Sequence, residues 1–187
     1  IIKKKNSEVN LIYGGKIGFA QQLENFVVLA EKLVKFENVK IILIGSGYES
    51  KNLNNMISEK KLKNIIILDE VNPIDYEKIL SKCQIGIISL NAKFKTPNIP
   101  GKLMTYGNYR LPVLASINIG NDLEDILINS NSGLVSYSGD HNELYKNTLK
   151  MINNEDLRSE MGENCYELII KKFSVENAAR QILKINK

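Results

Sequence analysis

The sequence predicts an α/β fold, a doubly wound parallel sheet of about six strands with extra helices at its C-terminal end. Short runs rich in Ile and Val alternate with segments whose apolar residues recur at helical spacing, the mark of successive βαβ units. Runs such as "IILI" are apolar without alternation, as strands covered on both faces are. With 187 residues and 43% hydrophobic content, the chain suffices for one well-buried core and reads as a single domain over 1–187.

The elements follow in order. "VNLIYGG" (9–15) is the first strand, and Leu23, Phe26, Val27, Ala30, Leu33 and Val34 form one stripe of the helix after it. "VKIILIG" (39–45) is the second strand, followed by a helix on which Leu53, Met56 and Ile57 share a face. "NIIIL" (64–68) is the third, and "NPIDYEKIL" opens a helix with Asn72 as N-cap and Pro73 in its first turn. "QIGIIS" (84–89), "LPVLA" (111–115) and "GLVSY" (133–137) complete the strands, with a helix at 102–109 before the fifth. "GDHNEL" offers Asp140 and Glu143 as a capping pair, which makes His141 part of a solvated helix start and not a catalytic group. From about residue 155 to 187 the pattern is wholly helical, with Ser174 capping the last helix. The architecture is Rossmann-like.

Charge and cysteine content exclude several functions. Lys+Arg 25 against Asp+Glu 21 leaves a mild +4, with the lysines interleaved among glutamates. Arginine occurs at Arg110, Arg158 and Arg180 alone and Trp is absent, so stacking and bidentate base readout are hard to build and no nucleic-acid partner is expected. Cys83 and Cys165 are far apart, in helical patterns and without CxxC spacing, and read as buried free thiols of a reducing compartment. "IIKKKNSEVN" is not a signal peptide and no stretch approaches a membrane span, so the expectation is a soluble, cytoplasmic domain.

In an open parallel sheet, ligands bind outside the carboxyl ends of the strands. Gly14-Gly15, followed by Lys16, and Gly45-Ser46-Gly47 are turns that let a phosphate approach the backbone. A nicotinamide-dependent enzyme needs G-x-G-x-x-G in the first turn and an acid at the end of the second strand, whereas here the turn reads "GGKIG" and Gly45 holds the acid's place. In "TPNIPGKLMTYGNYRLPVLA" (96–115), Pro97 and Pro100 stiffen a long loop that ends in Gly101 and Lys102 as a helix begins. Its N–H groups and one ammonium then face the same spot, as an anion requires. No cluster of Asp, Glu and His suggests a metal, and no cofactor is expected.

The order "YGGKIGFAQQLENFVVLAEKL", "IILIGSGYE", "IIILDEVNPIDYEKILSKCQIGIISL", "IPGKLMTYGNYRLPVLAS", "NSGLV" and "KKFSVENAARQIL" resembles, nearly end to end, the C-terminal half of family 4 retaining glycosyltransferases of the GT-B fold. More narrowly it is similar to the bacterial surface-polysaccharide branch that transfers N-acetylated amino sugars such as fucosamine. The resemblance implies a donor-binding domain for a nucleoside-diphosphate sugar, a UDP-sugar above all, in capsule, O-antigen or exopolysaccharide synthesis. It implies metal-independent hexosyl or N-acetylhexosaminyl transfer to a lipid-linked or glycan acceptor held by a separate N-terminal domain. The isolated domain is then inactive alone, and the full-length enzyme is peripheral at the inner face of the membrane. Residues 174–187 correspond to a helix that crosses back to the N-terminal domain.

By the same resemblance Gly14, Gly15, Lys16, Gly101 and Lys102 hold the donor diphosphate. Gly45, Ser46, Val71, Asn72, Pro97, Asn98, Ile99, Pro100 and Thr105 hold its nucleoside and sugar. The family's usual pair of glutamates falls at Pro97 and Thr105, neither acidic, so the donor grip is a variant one. Its usual arginine matches Lys16 while the following lysine matches Gln21, and Lys102 supplies the second cation. No residue is assigned with certainty as catalytic, since the leaving phosphate itself is thought to deprotonate the acceptor. Two other readings stay open, a nucleotide-sugar epimerase-like half and a non-catalytic Rossmann-like binding module.

Overall fold

The computed structural model describes residues 8–93 and 99–173. The expected crossing-back helix at 174–187, and Pro97 and Asn98 of the long loop, lie outside the described residues. The strands are β1 (Val9–Gly14), β2 (Val39–Ile44), β3 (Ile65–Leu68), β4 (Ile85–Ser89), β5 (Val113–Ile117) and β6 (Gly133–Tyr137). Between and after them come α1 (Glu24–Lys32), α2 (Ser50–Glu59), α3 (Pro73–Leu80), α4 (Lys102–Asn108), α5 (Asp122–Asn129), α6 (His141–Asn153) and α7 (Glu155–Lys172). All five pairings are parallel, in the order β3-β2-β1-β4-β5-β6. The chain reverses its direction of winding between β1 and β4, and it is at such a reversal that an open sheet leaves a crevice.

Both faces of the sheet are covered, which is why its strands read as unbroken apolar runs. Leu11, Tyr13, Ile41, Leu43, Ile85, Ile87 and Leu114 point into a core with α1, α2 and α6. Ile12, Ile44, Ile88, Val113, Ala115 and Ile117 point to the other side, against α3, α4, α5 and most of α7. Tyr106 of α4 is fully buried in the second core, where its hydroxyl donates to the Ile12 carbonyl at 3.1 Å and the Ile87 carbonyl at 2.9 Å. That bond ties α4 to both strands at the reversal. From behind, α7 is held against α4: a Cβ on Gly107 would stand 2.2 Å from Ile169 Cγ1. The helix that carries Lys102 is therefore fixed from two sides.

Several expectations shift. β5 begins at Val113, not at 111, because Arg110 adopts φ +51° and Leu111 donates its N–H to the Tyr106 carbonyl, which closes α4. Pro112 has no N–H to give the ladder, so pairing starts after it. Val34 leaves the α1 stripe and is 58% exposed, since the helix ends at Lys32 and Leu33 is its C-cap. Asp140 caps α6 by accepting from the N–H groups of Asn142 and Glu143, but the Glu143 carboxylate turns to Lys146 and does not reciprocate. His141 is partly buried, 3.1 Å from Asn25 Oδ1, and so is not simply solvated. Cys83 follows α3 in a turn and lies outside any helix.

Asn72 caps α3 as expected, with Pro73 at its start. Cys83 and Cys165 are free, buried thiols. Burial pushes each up to about 12. At pH 8 the thiolate fraction is then about one in ten thousand, and thiolate is the reactive form. The native chain is expected to react with dithionitrobenzoate far more slowly than the urea-unfolded chain; prompt titration of either thiol in the folded protein would contradict the packing described. Among the described residues, no helix is long and apolar enough to cross a membrane.

Candidate functional site

At the carboxyl edge of the sheet, beside the β1/β4 reversal, lies an open cleft of about 610 Å³. It is lined by Gly14, Gly15 and Lys16 after β1, by Ile44, Gly45, Ser46 and Gly47 after β2, and by Glu70 and Val71 after β3. Tyr76 of α3 and Lys102 and Thr105 of α4 complete it.

The turns are built by close backbone approach. Gly15 donates its N–H to the Ile44 carbonyl at 2.8 Å and Ile17 donates to Ser46 at 2.8 Å, so the β1–β2 pairing runs on past the strand ends. Gly45 has φ +145°, and a Cβ on it would stand 1.8 Å from the Gly15 carbonyl oxygen. No side chain of any kind fits there, which rules out at this position the acid that a dinucleotide fold places at the end of its second strand. Tyr76 underlies the first turn, for a Cβ on Gly14 would run into its hydroxyl.

Lys102 is the cation of the cleft floor. Its Nζ sits 4.7 Å from the centroid of the Tyr13 ring, and a Cβ on Gly15 would meet that Nζ at 3.1 Å. The ammonium thus lies over the glycine turn, on the face of a fully buried tyrosine whose own hydroxyl donates to the Lys16 carbonyl at 2.6 Å. Burial lowers the Lys102 pKa below its ordinary 10.5, because the charged form loses water. Among the described residues no carboxylate forms an ion pair with it. Tyr13 and Tyr76 are themselves held neutral by burial, the latter pushed up to about 12. Lys16, exposed on the rim, adds a second positive charge.

Of the residues expected in the site, Gly14, Gly15, Lys16, Gly45, Ser46, Val71, Lys102 and Thr105 come together in this cleft. Others do not line it. Asn72 spends its side chain on capping α3, accepting from Asp75 N–H at 3.0 Å and donating to Asp75 Oδ2 at 2.7 Å. Ile99 packs into the second core, Pro100 is buried with its carbonyl accepting from Leu103, and Gly101 is the exposed N-cap of α4. The N–H of Gly15 is engaged in the sheet, donating to the Ile44 carbonyl. What Gly15 supplies is the space over which Lys102 lies. Three lining groups went unassigned from the sequence: Ile44, Glu70 and Tyr76. Ser46 Oγ donates to Glu70 Oε1 at 2.5 Å, joining the end of β2 to the end of β3. Among the described residues, no group of His, Cys, Asp and Glu is arranged to hold a metal ion.

Fold and cleft together define a Rossmann-like domain of the GT-B kind, with a cleft that carries Lys16 and Lys102 at its switch point. The chain belongs to the glycosyl transferases group 1 family, whose pattern it matches over residues 2–168. Two uncharacterised glycosyltransferases of Methanocaldococcus jannaschii are similar to it. One is 29% identical over 76% of this chain and 39% of its own length, the other 24% identical over 99% and 46%. The chain therefore spans less than half the length of the curated relatives it matches. Among solved structures, Staphylococcus aureus TarM in complex with fondaparinux, α-GlcNAc-glycerol and UDP superposes with a TM-score of 0.80 at 19% identity, over 97% of this chain and 36% of that one. HepE of Anabaena in complex with UDP-glucose gives 0.78 at 14%, over 95% and 48%. The C-terminal domain of the group 1 protein LpcC of Francisella tularensis gives 0.73 at 16%, over 90% and 87%. Such identities speak for the fold alone.

Proposed function

We propose that this chain is the donor-binding domain of a retaining glycosyltransferase that uses a nucleoside-diphosphate sugar, UDP-linked in the first instance. The observation that carries the reading is Lys102, a partly buried ammonium over the Gly15 turn with no carboxylate to pair it among the described residues. A cation placed in that way is completed by a phosphate, and as a sugar leaves, the charge growing on the diphosphate is stabilised by the same ammonium and by Lys16. The acceptor is a lipid-linked or other glycan, held by a partner domain outside this chain. That proposal is supported by the coverage of the relatives and by the likeness to the LpcC C-terminal domain. Transfer of an N-acetylated amino sugar in surface-polysaccharide synthesis, without a metal, remains part of the proposal on the motifs quoted above.

The test is a thermal-shift and calorimetric panel of UDP, GDP, ADP and NAD. A nucleotide at about 100 times its dissociation constant adds about 2.7 kcal/mol to stability, which is readily seen. Binding of a nucleoside diphosphate with no glycosyl transfer by the chain alone is the expected result. NAD binding in preference to UDP, or robust turnover by the 187-residue chain, would contradict it.

Lys102 also fixes a pH dependence. A lysine whose pKa is lowered by folding binds fewer protons folded than unfolded, so its burial opposes folding at neutral pH and that cost fades as pH rises through the lowered value. A bound phosphate favours the ammonium and moves the pKa back up. UDP binding is therefore expected to take up protons on the alkaline side, well above the phosphate's own pKa of about 6, and to weaken as pH rises through the lowered Lys102 value. Calorimetry in buffers of different ionisation enthalpy reads this directly; proton release, or none, would contradict it.

A further inference from the structure

A ribose offers two neighbouring hydroxyls, and the side chain that best accepts from both is a carboxylate. In this cleft the two obvious places for one are closed. The end of β2 is Gly45, whose missing Cβ is displaced by the Gly15 carbonyl oxygen at 1.8 Å. On the α4 side the lining residues are Lys102 and Thr105, neither of them acidic. One strand further out stands Glu70, the single carboxylate among the described residues that line the cleft. It is exposed, forms no ion pair with the described lysines or arginines, and is oriented by Ser46, whose hydroxyl donates to Oε1 at 2.5 Å. A carboxylate with one oxygen so engaged retains the whole of its second oxygen and a lone pair on the first. Its place also suits a nucleotide laid across the sheet edge. With the diphosphate at Lys102 and Gly15, beside β1, the nucleoside extends over β2 and reaches the end of β3.

We propose that Glu70, oriented by Ser46, is the acceptor for the donor's ribose hydroxyls, moved to the end of β3 because Gly45 and Thr105 cannot supply one. The inference rests on the donor-binding reading above, so the experiment separates the two. UDP and 2′-deoxy-UDP, with GDP and 2′-deoxy-GDP as the second pair and inorganic pyrophosphate as the phosphate control, are titrated calorimetrically into the parent chain and Glu70→Gln. The ratio of ribo- to deoxyribonucleotide affinity is the readout, since general loss of a negative charge near the diphosphate changes both members of a pair alike. A hydrogen bond to a charged acceptor predicts a preference for the ribonucleotide of about tenfold or more in the parent, reduced to near unity in Glu70→Gln, with pyrophosphate unaffected or slightly tighter. Ser46→Ala, which frees the carboxylate to rotate, is expected to retain part of the preference. Binding of UDP or GDP with the same ribose preference in parent and Glu70→Gln overturns this inference and leaves the donor site standing. Failure of the parent to bind any of the nucleotides or pyrophosphate overturns the donor site, and the role of Glu70 with it.

Discussion

Replacing Lys102 by Ala is expected to weaken UDP binding by about ten- to a hundredfold, because a charge-assisted hydrogen bond to phosphate is worth about 1.5–3 kcal/mol. Uridine, which carries no phosphate, is expected to bind both forms alike. The contrast matters because Lys102 also packs on the Tyr13 ring, 4.7 Å from its centroid, and over Gly15, so its loss could in principle disturb the cleft as a whole. Damage of that kind lowers uridine and UDP affinity together. Stability is a second discriminator: the variant removes a cation whose pKa burial has lowered, a cost to the folded state at neutral pH, so no loss of Tm is expected from the charge itself. Equal binding of UDP to parent and variant would place the diphosphate elsewhere.

The second large effect is on the fold that builds the cleft. Gly45→Ala is expected to destabilise the chain by about 3 kcal/mol and abolish nucleotide binding, since φ +145° is a region in which side chains are strained and the new Cβ would overlap the Gly15 carbonyl. The two strand ends must then separate, breaking the bonds from Gly15 N–H to Ile44 and from Gly45 N–H to Leu68. For a chain of this size, about 3 kcal/mol corresponds to about 6–12 °C in Tm. Gly120→Ala is the control, with φ +75° but open space around the Cβ, and is expected to cost about 1–2 kcal/mol without touching binding. Equal melting temperatures for the two variants would show that the close approach at Gly45 is not what shapes this edge.

Strand positions were legible because burial on both faces writes itself as unbroken Ile and Val, and five of the six begin within a residue of where the sequence places them. The exception, β5, turns on how α4 ends: Arg110 in the left-handed region is not a residue that announces such a turn, and Pro112 was read as part of the strand and not as its delayed start. The site was legible where glycine and proline punctuate it, at Gly14-Gly15, at Gly45, and before Lys102. It was not legible where long-range register decides. Glu70 and Tyr76 reach the cleft only because β3 pairs outside β2 and α3 folds back beneath the β1 turn, and neither fact is carried by local sequence. Asn72 was expected to serve both as a helix cap and as a ligand contact. The structure shows its side chain in the cap, which is satisfied locally through Asp75.

The most direct measurement is a crystal structure of the chain with UDP. The account predicts a phosphate oxygen within hydrogen-bond distance of Lys102 Nζ, above Gly15, with the nucleoside running outward over Gly45 and Ser46 toward the end of β3. UDP bound with its phosphates away from Lys102, while that lysine stays on the Tyr13 ring, would contradict the central claim that this turn is the diphosphate site of a glycosyl donor.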